Sequence, residues 1–136
     1  MSDKKINILM WIIMLLMLGY FSYSQGWIFS NFKNLSIQEA KSLIESDKDL
    51  VIIDVRSAEE YKKDYINGAI NIPFSRLKES LDKLEKYKKE KILLYSERGK
   101  LSIESARILS KEGFLVLNLK GGVVFWLRNG YLLKKN

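Results

Sequence analysis

Lys91–Ser102 reads KILLYSERGKLS, and the rest of the chain can be placed around it. Ile92, Leu93, Leu94 and Tyr95 form an apolar run too short for a helix and suited to a buried strand. Ser96–Leu101 is a polar loop that holds Gly99 and two cations, Arg98 and Lys100. Ser102-Ile-Glu-Ser then opens an amphipathic helix. A strand, a tight loop and a helix start, in that order, make a cradle. Loop N–H groups and the unpaired N–H groups of a helix's first turn converge there, which favours anions. The candidate binding residues are therefore Ser96, Glu97, Arg98, Gly99, Lys100, Leu101 and Ser102.

Elements on either side repeat the alternation. Upstream, Ser36-Ile-Gln-Glu39 and Ser57-Ala-Glu-Glu60 are capping boxes. The first starts a helix with Ala40, Leu43 and Ile44 as its apolar stripe, and the second a short helix through Tyr61. Between them, Leu50–Val55 is a β-branched run of the kind found in strands buried on both faces. Asn67-Gly68 signals a turn, Ala69–Ile72 a short strand stopped by Pro73, and Ser75 a cap for a helix bearing Leu77, Leu81 and Leu84. Downstream, the helix with Ile103, Ala106, Ile108 and Leu109 ends at Gly113. Leu115–Leu119 is a strand broken by Gly121-Gly122, and Val123–Arg128 a last short helix. Alternating strands and helices predict an α/β domain with a mostly parallel sheet covered on both faces. Ligands of such sheets bind beyond the carboxyl ends of the strands, where Ser96 and the residues after Val55 lie.

Composition excludes several chemistries. The 136 residues contain no cysteine and no histidine. Thiolate nucleophiles, Cys-based metal sites and Ser-His-Asp triads are therefore absent from the chain. Lys and Arg number 23 against 16 Asp and Glu, a net charge of +7. The basic residues are scattered rather than interleaved with aromatics, which argues against nucleic-acid binding and leaves attraction to an anionic membrane surface. No residue pattern calls for a cofactor.

The N-terminus supports the membrane reading. Ile6–Tyr23 carries no charge and is interrupted only by Asn7, Gly19 and Ser22. As a helix these residues cover about 27 Å, close to the hydrocarbon thickness of a bilayer. Trp11, Tyr20, Tyr23 and Trp27 lie toward the ends, as interface aromatics do. Residues 1–24 are expected to be a transmembrane anchor that touches lipid. A cleaved signal peptide is the alternative, since Ser22-Tyr-Ser24 precedes Gln25 with small residues at a suitable spacing. Lys4 and Lys5 favour an N-terminus inside and a domain outside the cytoplasm. Residues 25–34 read as a connector lying on the membrane or on the domain, and 35–136 as the domain.

Ile53-Asp54-Val55-Arg56, Glu60-Tyr61 and Ile66-Asn-Gly-Ala-Ile-Asn-Ile-Pro73, followed later by Gly121-Gly122, Trp126 and Gly130, resemble the motifs of rhodanese-like domains in their usual order. The resemblance covers roughly residues 35–134 and implies a three-layer α/β fold. It implies that the cradle is the active-site loop, commonly worded C-x-x-G-x-R-S, whose cysteine carries a sulfane sulfur between a donor and a thiophile. Gly99 and Ser102 match that wording. Ser96 stands at the cysteine position, Leu101 where arginine is usual, and Tyr65 where a histidine is frequent. The resemblance implies that Asp54 and Arg56 belong to a polar network under the loop; a purely structural ion pair between them is the other, favoured reading.

An oxygen neither ionises like a thiol nor holds sulfane sulfur, so the expectation is a catalytically silent module whose cradle binds a small anion or a protein partner. Two readings remain beside it: an enzyme working through Ser96 or with a partner's cysteine, and a structural adaptor with a relic loop.

Overall fold

The computed structural model describes residues 2–24 and 31–136. They fall into two compact units, one holding residues 2–24 and the other residues 31–136. In the first, helix α1 (Asp3–Ser24) is 22 residues long. Its span Asp3–Ser22 has a mean hydropathy of 1.7 and no buried portion. At about 1.5 Å per residue it is long and apolar enough to cross a bilayer. Gln25 and the connector residues Trp27, Ile28 and Phe29 lie outside the described residues.

The second unit runs β1 (Phe32–Leu35), α2 (Ile37–Ser46), β2 (Val51–Asp54), α3 (Ala58–Lys63), β3 (Asp64–Tyr65), β4 (Ile70–Asn71), α4 (Leu81–Leu84), β5 (Lys91–Tyr95), α5 (Lys100–Lys111), β6 (Leu115–Leu119), α6 (Gly122–Arg128) and β7 (Lys134–Lys135). Five strands form one sheet in the order β1-β6-β5-β2-β4, all parallel. β3 and β7 make a separate antiparallel ribbon.

Alternation along each strand divides the core into two layers. Ile52, Leu93, Tyr95 and Leu119 pack on one face with Ala40 of α2 and Val123 and Trp126 of α6. Ile53, Val55, Ile92, Leu94 and Val116 pack on the other with Ala106 and Leu109 of α5 and with Leu77 and Leu84. Because β5 is central and covered twice, Ile92, Leu93, Leu94 and Tyr95 are all fully buried. Each such side chain contributes about 1.5–3 kcal/mol by leaving water.

Both capping boxes form. The Ser36 hydroxyl accepts the Glu39 N–H at 3.2 Å, and Glu39 accepts the Ser36 N–H at 2.8 Å. Ser57 and Glu60 repeat this at 3.2 and 3.0 Å. Each cap stabilises its helix by about 1 kcal/mol.

Four details depart from the sequence reading. Phe32–Asn34, read as the end of the connector, belong to β1, which pairs with β6 in the register Phe32↔Val116 to Leu35↔Leu119. The helix expected from Ser75 is instead a series of 3-10 turns, Phe74–Arg76, Lys78–Ser80 and Glu85–Tyr87, interrupted by the single turn α4. Pro73 rather than Ser75 starts this segment, with no side-chain cap. Its longer rise per residue still brings Leu77 and Leu84 to the core. The strand at Ala69–Ile72 shortens to Ile70–Asn71. α5 begins at Lys100, two residues before the expected start at Ser102.

Candidate functional site

Ser96 follows the last residue of β5 and is 2% exposed. Its Oγ accepts the N–H of Gly99 at 3.1 Å and the N–H of Ser102 at 3.2 Å. Its own proton points to Ser102 Oγ, 3.2 Å away, and Ser102 Oγ donates in turn to the Gly99 carbonyl at 3.1 Å. The hydroxyl thus sits where the cradle's donors converge. The early start of α5 follows from the same geometry. Gly99 adopts φ 97°, a left-handed conformation that closes the loop in three residues. Ser102 then lies in the first turn of the helix, and its N–H, which has no partner within the helix, is bound by Ser96.

The loop's carbonyls are held from the other side. The N–H of Val123 donates to the Ser96 carbonyl and that of Val124 to the Glu97 carbonyl, each at 3.0 Å. With the Ser96 and Glu97 carbonyls tied to the first turn of α6, the loop presents the Gly99 and Ser102 N–H groups to Ser96 Oγ. This requires close approach: a Cβ on Gly122, whose φ is 60°, would lie 2.2 Å from the Ser96 carbonyl oxygen. In the sequence Gly121-Gly122 reads as a strand break and as part of the closing motif of the resemblance, without a role at the loop. The doublet was the available signal, and the contact across 26 positions was not visible in it.

Asp54 and Arg56 sit beneath the loop, 0% and 4% exposed. Arg56 Nε lies 3.1 Å from both carboxylate oxygens of Asp54, and Nη2 lies 2.8 Å from Oδ2. Nη2 also donates to the Asp64 carbonyl at 2.6 Å, and Nη1 reaches Asp64 Oδ1 and Glu97 Oε2 at 3.4 Å. Burial opposes the guanidinium charge, but the hydrogen bonds and charge of Asp54 outweigh it and raise the Arg56 pKa. Tyr95 carries its ring 5.9 Å from the guanidinium, and its hydroxyl accepts the Ile66 N–H at 3.0 Å. Burial, then the Asp54 charge, push the Tyr95 hydroxyl above its ordinary value. Asp64 and the Tyr95 hydroxyl were not singled out by the sequence reading. Tyr65, at the frequent histidine position, stacks on Tyr61 with ring centroids 4.5 Å apart.

A shallow cavity of about 190 Å³ opens over the loop. Arg56, Glu60, Ser96, Glu97, Arg98, Lys100 and Leu101 line it. The structure therefore gathers the seven loop residues and the Asp54–Arg56 pair into one place, and adds Glu60. Three cations face two carboxylates there. Among the described residues no group of three or more Asp, Glu, His or Cys side chains could hold a metal ion.

Comparison with known proteins agrees with this architecture. Residues 36–129 match the Rhodanese-like domain family. The chain is 33% identical over 96 residues to the thiosulfate sulfurtransferase GlpE of Coxiella burnetii, covering 70% of this chain and 87% of that protein. It is 32% identical over 98 residues to the "Putative sulfur carrier protein YrkF" of Bacillus subtilis, covering 71% of this chain and 52% of that protein, about half its length. Among solved structures, a rhodanese-like domain protein from Staphylococcus aureus superposes with a TM-score of 0.67 at 27% identity, covering 76% of this chain and 98% of that one. The chain belongs to the rhodanese-like domain family, and it is a cysteine-free relative of sulfurtransferases and sulfur carriers.

Proposed function

We propose that this protein is a membrane-anchored rhodanese-like module that does not transfer sulfur by itself and uses the Ser96–Ser102 cradle to bind a small oxyanion or an anionic group of a protein partner. The observation that carries the reading is the Ser96 Oγ in the convergence of the Gly99 and Ser102 N–H groups. A sulfur at that point would be stabilised as thiolate or persulfide. An oxygen with a far higher pKa stays protonated there. Its proton chain runs through Ser102 Oγ to a backbone carbonyl, which is no general base. Glu97, the nearest loop carboxylate, reaches toward Arg56. The enzyme reading through Ser96 thus lacks a way to activate its nucleophile.

Arg98 and Lys100 at the cavity, and the first-turn N–H groups of α5, give the binding function its chemistry. Each exposed charge at a helix start is worth about 0.3–1 kcal/mol, so several together give an affinity in the millimolar range. The anchor is residues 1–24, with α1 through the bilayer and the domain, by the Lys4 and Lys5 bias, on the extracytoplasmic side.

The test combines turnover with binding. The purified chain, given thiosulfate and cyanide, should form thiocyanate no faster than a protein-free control. Amide resonances of Gly99 and Ser102 should shift on thiosulfate addition at low salt and less so at high salt. Protein-dependent turnover, or a sulfur adduct on Ser96, overturns the silent reading. A loop unmoved by thiosulfate, sulfate and phosphate overturns the anion-binding reading.

A further inference from the structure

Helix α1 has an ordered face that anchoring alone does not use. Asn7, Met10, Met14, Met17 and Phe21 follow one another at alternating spacings of three and four residues. That is the 3.5-residue period along which two helices pack in a left-handed pair. Every methionine of the chain after Met1 lies on this stripe. Asn7, the single amide in the run Ile6–Tyr23, lies on it too. The two small residues of the run, Gly19 and Ser22, lie elsewhere and are three apart, so they do not make the small-xxx-small surface of close-packed membrane helices.

The surface relief fits the same pairing. Side chains of Asn7, Met10, Trp11 and Met14 enclose a notch of about 420 Å³. Those are positions i, i+3, i+4 and i+7, the four residues that form the hole receiving one side chain of a facing helix. Methionine suits such a surface because its unbranched thioether adapts to the shape of the side chain it meets. A bilayer gives leucine and isoleucine no reason to prefer protein over lipid, whereas an amide in a helix gains by finding an amide opposite.

From these features we infer that α1 pairs with the α1 of a second copy of this chain, in parallel, along the stripe Asn7, Met10, Met14, Met17 and Phe21. A second copy is the occupant because the contact is self-complementary. An asparagine amide is both donor and acceptor, so two Asn7 side chains facing each other across the pair satisfy one another. A single asparagine at such a position also fixes the register. Two copies anchored alike bring the stripes together in parallel. The inference rests on the reading of α1 as a membrane anchor.

The absence of cysteine supplies a clean test. Single cysteines are introduced into the full chain at each position from Ile6 to Tyr23, and membranes are oxidised with copper phenanthroline. The carbonate-resistant pellet is examined on non-reducing gels. Disulfide-linked dimer should peak at Asn7→Cys, Met10→Cys, Met14→Cys and Met17→Cys. It should be low at Ile12→Cys, Leu16→Cys and Gly19→Cys, and should persist when excess lipid dilutes the chain. Asn7→Leu placed in the Met14→Cys background should lower the yield about threefold to tenfold, the value of one interhelical hydrogen bond. Chain in the pellet with uniform yields, with a maximum on the Gly19 face, or with no dimer overturns the pairing and leaves the anchor standing. Chain absent from the pellet overturns the anchor, and the pairing with it.

Discussion

The amide of Val123 donates to the carbonyl of Ser96 at 3.0 Å, tying the first turn of α6 to the residue at the centre of the cradle. This bond exists only because residue 122 has no side chain. A Cβ there would meet the Ser96 carbonyl at 2.2 Å and the Glu97 carbonyl at 2.7 Å.

Gly122→Ala should therefore cost on the order of 3 kcal/mol, the sum of a left-handed backbone penalty and a backbone clash. Gly68→Ala is the control, since Gly68 has φ 87° but open space around its Cβ position. It should cost only about 1–2 kcal/mol. Urea midpoints of the two variants check this, and equal losses would mean that the contact between α6 and the loop is not tight.

The buried pair offers a second check. Asp54 is wholly buried and makes three side-chain contacts to Arg56 within 3.1 Å. Asp54→Ala removes the buried carboxylate and leaves the Arg56 charge with the Asp64 carbonyl at 2.6 Å and two ion-pair contacts at 3.4 Å, to Asp64 and Glu97, and should cost about 3–5 kcal/mol. Glu97→Ala removes a half-exposed partner at 3.4 Å and should cost less than about 1 kcal/mol. Chemical denaturation of both variants would show a reversed order if Glu97, rather than Asp54, held the guanidinium.

What was legible in the sequence was what local chemistry or a short period encodes. The capping boxes at Ser36 and Ser57 formed as read, because each is closed within four residues. β2, β5 and β6 lie within a residue of their expected bounds, because strands covered on both faces are continuous apolar runs. β1 was missed because Phe32-Lys-Asn-Leu35 has no such run, and its stability comes from β6, more than 80 residues away. The ribbon of Asp64-Tyr65 with Lys134-Lys135 escaped for the same reason. Leu77, Leu81 and Leu84 have helical spacing, but two of the three reach the core from a segment made largely of 3-10 turns that starts at Pro73. In the site, loop residues adjacent in sequence were found together. The contacts of Gly122, Asp64 and Glu60 depend on the tertiary fold.

Burial in the central strand gives a third prediction. Leu94 is 0% exposed and Leu115 is 53% exposed. Leu94→Ala should cost about 2–5 kcal/mol by removing methyl groups from a packed core. Leu115→Ala should stay within about 1 kcal/mol. Similar unfolding midpoints would place β5 at the surface.

Tyr95 predicts an alkaline dependence of stability. Its folded pKa lies above the ordinary value of 10 through burial and the Asp54 charge. The folded state therefore holds its proton more tightly than the unfolded chain does. This contribution is complete below about pH 10 and is lost as pH rises through the range where only the unfolded chain ionises, at up to about 1.4 kcal/mol per pH unit. Tyr95→Phe, though less stable at pH 8 for want of the Ile66 contact, should lose less stability between pH 9 and pH 11 than the parent. Parallel losses in the two proteins would mean that Tyr95 is not the titrating group.

On the proposed reading the cradle keeps a thiolate-stabilising geometry, and the oxygen of Ser96 silences it. Ser96→Cys places a sulfur against the Gly99 and Ser102 N–H groups and beside Arg98 and Lys100. The measurement is the rate of iodoacetamide alkylation of this variant, the chain's only thiol, against pH. A midpoint clearly below the free-thiol value of about 8.5 is the predicted result. A midpoint at or above that value would mean that the loop around residue 96 does not stabilise an anion, and would overturn the proposed binding role.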